Sequence, residues 1–211
     1  MSRAAGAVVG VVLAAGAGTR FGGPKALART ADGTPWVERV ARALRGGGAD
    51  RVVVALGAGR DEAAALVPGW AQVVHVPDWP DGVSASLRRA LTSLSAVGLD
   101  PGGRLGAATR AVVVATVDVP DLAAEAVGRV VAGATPGCLR QATYGGRPGH
   151  PVLIGRAHWA PLLASVAGDV GARPYLVTRR VLEVPCDDLW HGHDVDGQTD
   201  QSGQTDHSRA G

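Results

Sequence analysis

The sequence predicts an α/β fold with a mostly parallel central sheet and helices on both of its faces, and three observations carry that reading. Runs rich in β-branched residues alternate with stretches whose apolar residues recur at helical spacing. The first run is apolar without alternation, as a strand covered on both faces has to be. That run passes directly into a glycine-rich loop, and in such sheets ligands bind beyond the carboxyl ends of the strands.

Val8, Val9, Val11, Val12 and Leu13 make the first strand. A secretory leader is the competing reading of Arg3 and the small apolar residues after it, but it leaves Gly16 to Lys25 unexplained. A strand feeding a functional loop accounts for the whole segment. Thr34 then reads as an N-cap with Pro35 at the first helical position, and Trp36, Val37, Val40, Ala41 and Leu44 follow until Gly46 to Gly48 stop the helix. Further strands are predicted at Arg51 to Leu56, Gln72 to Val76, Ala111 to Val117, Pro151 to Ile154 and Val181 to Val184. A second helix spans Ser84 to Val97 with Leu87, Leu91 and Leu94 on one face, and Asp121 is expected to cap a third through Val131.

Gly98 to Arg110 reads as an exposed connection inside one domain, residues 1–196. From Gly197 to Gly211 the chain is polar and repeats Gly-Gln-Thr-Asp at 197–200 and 203–206, so a disordered tail is expected.

Composition excludes several classes of function. Twenty-one basic against 19 acidic residues give a net charge of +2, too little for a phosphate-backbone footprint, so no nucleic-acid partner is expected. No apolar run reaches the roughly 20 residues a membrane-crossing helix needs. Cys138 and Cys186 lie far apart with no metal-type spacing, and read as core thiols in a reducing compartment, the cytoplasm. Trp36 and Trp159 are likewise expected in the core. Among the basic residues only Lys25 is a lysine, and it falls in the glycine loop.

That loop runs Leu13-Ala14-Ala15-Gly16-Ala17-Gly18-Thr19-Arg20-Phe21-Gly22-Gly23-Pro24-Lys25. Glycines after a strand let backbone N–H groups approach phosphate oxygens, and Arg20 and Lys25 can neutralise their charge. The spacing fits neither common nucleotide motif: Gly22 falls one position too late for G-x-G-x-x-G, and Pro24-Lys25-Ala26 is not the Gly-Lys-Ser/Thr of a Walker loop. Asp118 ends the strand Ala111 to Val117, where a carboxylate can hold Mg²⁺ against substrate phosphates. Asp169 and Arg173, in Gly168-Asp169-Val170-Gly171-Ala172-Arg173, fall where a solvated helix start is one reading. His191 and His193 read as surface histidines, since no third ligand of suitable spacing follows.

The loop from Leu13 to Lys25 resembles the opening motif of the MobA-like NTP transferase family, and within it the branch that transfers cytidylyl groups to the molybdenum cofactor. The likeness continues through Asp32-Gly33-Thr34-Pro35, Gly82-Val83-Ser84-Ala85-Ser86-Leu87, Val117-Asp118-Val119-Pro120, Gly149-His150-Pro151-Val152, Gly168 to Arg173 and Asp194-Val195-Asp196. The resemblance implies a Rossmann-like three-layer nucleotidyltransferase fold with a central mixed, mostly parallel sheet. By the same likeness, Leu13, Ala14, Ala15, Gly16, Gly18, Arg20, Lys25 and Ser86 bind the nucleotide. Lys25, Arg20 and Asp118 serve catalysis, and His150, Asp169 and Arg173 bind the acceptor. Asp118 and Asp196 hold Mg²⁺, with Asp194 in support. Ala15, where guanine-specific relatives have glycine, implies CTP. The implied acceptor is the molybdenum cofactor, whose product would pass to a molybdenum hydroxylase or its chaperone. The rival expectations are GTP as donor, a sugar or alditol phosphate as acceptor, and a non-catalytic nucleotide-binding cofactor chaperone. After Asp196 the chain departs from the family, with Gly197-Gln198-Thr199-Asp200 replacing Thr-Pro-Glu-Asp.

Overall fold

In the structure, a computed structural model that describes residues 6–96 and 109–195, seven strands form a single sheet. They are β1 (Ala7–Ala14), β2 (Arg51–Leu56), β3 (Gln72–His75), β4 (Thr109–Thr116), β5 (Leu139–Tyr144), β6 (Arg147–Gly155) and β7 (Leu182–Pro185). The helices are α1 (Trp36–Gly46), α2 (Arg60–Ala64), α3 (Val83–Ala96), α4 (Ala124–Val131), α5 (Trp159–Ser165) and α6 (Arg173–Thr178). Strand order is β3-β2-β1-β4-β6-β5-β7. β6 is antiparallel to both β4 and β5 while the other pairings are parallel, so the sheet is mixed and mostly parallel, with β6 the strand that runs against the rest.

The layering follows from the period of two along β1. Val8 and Val12 enter a core shared with Trp36, Val40 and Leu44 of α1 and with Val127 and Val130 of α4. Val9 and Val11 enter the opposite core, with Leu87, Leu91 and Leu94 of α3, Trp159 and Leu162 of α5, and Leu176 of α6. Both faces are therefore covered, which is why β1 carries no polar alternation. Trp36 and Trp159 are core residues, and Gly10 lets α1 approach closely: a Cβ there would stand 3.0 Å from that of Leu44.

Several local expectations are corrected. α1 begins one residue later than predicted, with Pro35 at the N-cap in extended conformation (ψ 138°) and no side-chain cap. The cause is a closed loop before it: Thr34 donates its N–H to the Asp32 carboxylate (3.0 Å) and accepts the Thr30 N–H (3.0 Å), which draws Pro35 into a bridge with Arg29. Asp121 does not cap α4, whose N-cap is Ala123, because its carboxylate is engaged by Arg39 at 2.8 Å. β5 was not predicted, and β6 starts four residues earlier than the sequence indicated. The two are joined by Gly145 and Gly146, both at positive φ (57° and 70°), a two-residue hairpin turn that glycine makes at no steric cost. α2 and α5 were also not predicted, while α6 begins at Arg173, where the sequence offered a helix start as one reading. Cys186 is buried and Cys138 half-buried, both as free thiols. The predicted Gly98–Arg110 connection, except its last two residues, and the tail 197–211 lie outside the described residues. No helix among the described residues is long and apolar enough to cross a membrane.

Candidate active site

Strand order creates the site. β2 and β3 lie on one side of β1 and β4 on the other, so the loops leaving β1 and β4 diverge from the topological switch point where α/β sheets bind ligands. The loop after β1 is knotted about Gly18, whose carbonyl accepts the N–H groups of Phe21, Gly22 and Gly23 at 2.9, 3.0 and 3.1 Å. Gly18 has φ +59°, and a Cβ on it would strike the Gly23 carbonyl, so no other residue type fits there. Gly16 faces open space, with nothing within 4 Å of where its Cβ would be. Phe21 packs against Trp36 with ring centroids 5.3 Å apart, and Lys25 Nζ lies 5.9 Å from the Phe21 centroid.

From there Lys25 Nζ reaches across the switch point to Asp118 Oδ2, at 3.1 Å. The loop carrying Asp118 is fastened on several sides. Val117 donates to the Leu13 carbonyl (3.0 Å), and the Asp118 carbonyl accepts the Val195 N–H (2.8 Å). Arg39 donates Nε to the Pro120 carbonyl (3.0 Å) and Nη2 to Asp121. The second oxygen of Asp118, Oδ1, is buried and has no partner. A buried carboxylate oxygen without a protein donor is open to a water or a cation, and hard oxygen ligands of this kind suit Mg²⁺ or Mn²⁺. No group of three or more metal-type side chains occurs among the described residues, so a divalent ion here would be held by Asp118 together with substrate phosphates. Asp196, the second expected ligand, lies outside the described residues.

A cavity of about 630 Å³ opens between the two loops. Leu13, Ala14, Ala15, Gly16, Gly18, Arg20, Lys25 and Ser86 all line it, together with Asp118. Ser86 is brought in by the second turn of α3. Beside this cavity lies another, of about 310 Å³, lined by His150, Arg173, Asp194 and Gln141. Leu13, Val83 and Thr116 belong to both and form the wall between them. Of the three residues expected at the acceptor, His150 and Arg173 meet in this second cavity, whereas Asp169 lines the first, because Gly168 and Asp169 pack onto Gly82 at the start of α3.

His150 keeps a little accessible surface, but its Nδ1 is buried and unpartnered. Burial pushes its pKa below the usual imidazole value, against the pull of Asp118 and Asp194 and of a hydrogen bond with the Val114 backbone. Its carbonyl accepts the Tyr144 hydroxyl at 2.7 Å, and burial pushes that phenol well above its usual value. Gly149 and Gly192 both pack on the Tyr144 ring, and Trp190 meets it edge-on at 5.2 Å. This stack lays the segment carrying Asp194 along the second cavity.

Residues 10–184 match the family model of the MobA-like NTP transferase domain. The chain belongs to that family. Over 203 residues it is 35% identical to nicotine blue oxidoreductase of Paenarthrobacter nicotinovorans, covering 90% of this chain and 92% of that one. The crystal structure of a Mycobacterium sp. strain JC1 homologue of Rv0371c superposes with a TM-score of 0.73 at 28% identity, covering 92% of this chain and 93% of that one. Rv0371c of Mycobacterium tuberculosis H37Rv in complex with manganese gives 0.72 at 26% identity, over 93% and 96% of the two chains. The Rossmann-like nucleotidyltransferase fold expected of a MobA-like transferase is thus the fold observed.

Sequence reasoning missed three contributors to this MobA-like site: Trp79, Thr116 and Gln141. Thr116 and Gln141 sit on strands whose polar residues offered no motif. Trp79 lies four residues before α3, in the turn Asp78-Trp79-Pro80-Asp81-Gly82, and proximity to the Ser86 helix was the available signal.

Proposed function

We propose that this protein is a cytidylyltransferase that moves CMP from CTP onto the phosphate of the molybdenum cofactor and releases pyrophosphate. The observation that carries the reading is the Lys25–Asp118 pair at the glycine loop, with Asp118 Oδ1 left for a cation and a second cavity one wall away. An acceptor phosphate oxygen attacks the α-phosphorus, the bond to the β-phosphate bridge breaks, and the new phosphoanhydride joins the two substrates. No protein nucleophile is required. Gly16 leaves room for the phosphates, Lys25 and the exposed Arg20 neutralise their charge, and His150 and Arg173 hold the acceptor in line. Asp118, with Asp196, would hold Mg²⁺, which when bound withdraws charge from the phosphate oxygens. The manganese complex of Rv0371c supports a divalent ion in this fold.

A second reading, oxidoreduction, is favoured by one observation, the name of the 35% identical relative. Lys25, Asp118 and the glycine loop favour transfer. Incubation with Mg²⁺, molybdenum cofactor and each of the four NTPs, followed by mass spectrometry, decides it. A cytosine dinucleotide formed with pyrophosphate is expected. A guanine dinucleotide would move the donor to GTP, and products formed only with a sugar or alditol phosphate would replace the acceptor. Turnover of nicotine blue with no dinucleotide from any NTP would establish the second reading.

A further inference from the structure

We infer that Trp79 is the base-side wall of the nucleotide cavity, offering its indole face to the nucleobase and so setting which base is accepted; this rests on the nucleotide reading above. The argument begins with strand order. Trp79 follows β3, two strands from β1 on one flank, while Asp118 follows β4 on the other. With strands about 4.8 Å apart, the two ends of the site are separated by about 14 Å, enough for base, ribose and phosphates to lie across the β1 loop. The cation-facing groups Lys25 and Asp118 occupy the β4 end. The β3 end must then take the base, and there Trp79 is the aromatic side chain lining the cavity.

The indole is also held in place. Trp79 is half-buried and packs on Ala15, Ala55, Val76 and Ala85. Its backbone N–H donates to the Val76 carbonyl (3.3 Å) and its carbonyl accepts from Gly82 (3.1 Å), while Asp78 beside it is fixed by Arg89 Nε at 2.9 Å. Gly57 makes the fit possible. A Cβ at that position would stand 2.6 Å from Trp79 Cβ and Cγ and 2.7 Å from the Ala15 carbonyl, so any side chain there would push the indole and the loop apart. The absent side chain at 57 thus brings the tryptophan against Ala15. A fixed aromatic face is a stacking platform for a planar base, and Ala15 lines the same cavity.

Calorimetric binding of CTP, GTP and inorganic tripolyphosphate, each with Mg²⁺, to the parent, Trp79→Leu and Trp79→Phe tests the inference. Trp79→Leu keeps apolar bulk for the fold but removes the π face. It is expected to weaken CTP binding by about tenfold or more and to relax the discrimination between CTP and GTP, with tripolyphosphate affinity unchanged. Trp79→Phe should restore most of the CTP affinity, and should abolish the quenching of tryptophan fluorescence that CTP produces in the parent. CTP bound by Trp79→Leu as tightly as by the parent would overturn the inference, as would an equal loss of CTP and tripolyphosphate or undiminished quenching in Trp79→Phe. A parent that binds neither CTP nor GTP would overturn the nucleotide reading itself, and this inference with it.

Discussion

Asp118 divides its two oxygens, one on Lys25 and the other buried without a donor, and each is a separate handle on the chemistry. Lys25→Ala is expected to lower the transfer rate by about a hundredfold to a thousandfold while the protein still folds, because a preorganised charge is lost where charge develops. Asp118→Asn should do the same, and the double variant should be scarcely worse than either, since one misplaced cluster has little left to lose. Steady-state rates at saturating Mg²⁺ measure this; additive losses would separate the two roles. Ala15→Gly should reduce the preference for CTP over GTP, read by competition binding. His150 carries a pH signature. Its folded pKa lies below the 6.5 of an open chain, so above that value both states are neutral and the group leaves stability unchanged. As pH falls through it the unfolded chain takes up a proton that the buried ring refuses, and stability declines until the folded ring titrates too. Urea midpoints measured between about pH 7.5 and 5.5 should therefore fall more steeply in the parent than in His150→Gln. The loop residues were legible because glycine spacing and a lone lysine are local signals. Trp79 was not legible, because only the tertiary placement of β3, two strands from β1, brings its turn to the cavity of the β1 loop.

Among elements, α1 and α4 share one face of the sheet and meet at glycine. A Cβ at Gly47, the residue after α1, would lie 2.3 Å from Val127 Cβ and 2.6 Å from the Ala124 carbonyl, while at the neighbouring Gly46 it would lie 3.3 Å from Ala124 Cβ. Gly47→Ala should cost about 1–3 kcal/mol through overpacking, and Gly46→Ala should be much milder; chemical denaturation of the two variants provides the check. The buried strands β1, β2 and β4 were readable as apolar runs, since their central residues are covered on both faces. β5 was not, because Arg140 and Gln141 interrupt its apolar residues. Both are satisfied by groups no periodicity indicates: Arg140 donates to the carbonyls of Val130 and Ala132 at the end of α4, and Gln141 donates to the Gly149 carbonyl. The Gly145-Gly146 pair was the sign of a hairpin that would have revealed it.

At the scale of the whole molecule, one crossover decision, β2 and β3 to one side of β1 and β4 to the other, puts the glycine loop opposite Asp118. The fold class and layering were legible from alternation alone. The separation of Asp169 from His150 and Arg173 was not, since residues close in sequence fall on opposite sides of a wall that only tertiary packing builds. That wall has a kinetic consequence. Leu13, Val83 and Thr116 give the two cavities one boundary in common, so under the proposed reaction donor and acceptor would be resident together and the group would pass directly between them. Under the proposed reaction, double-reciprocal plots of initial rate against one substrate at fixed levels of the other should intersect, as for a ternary complex. Parallel lines would instead demand a nucleotidylated form of the protein and would overturn direct transfer.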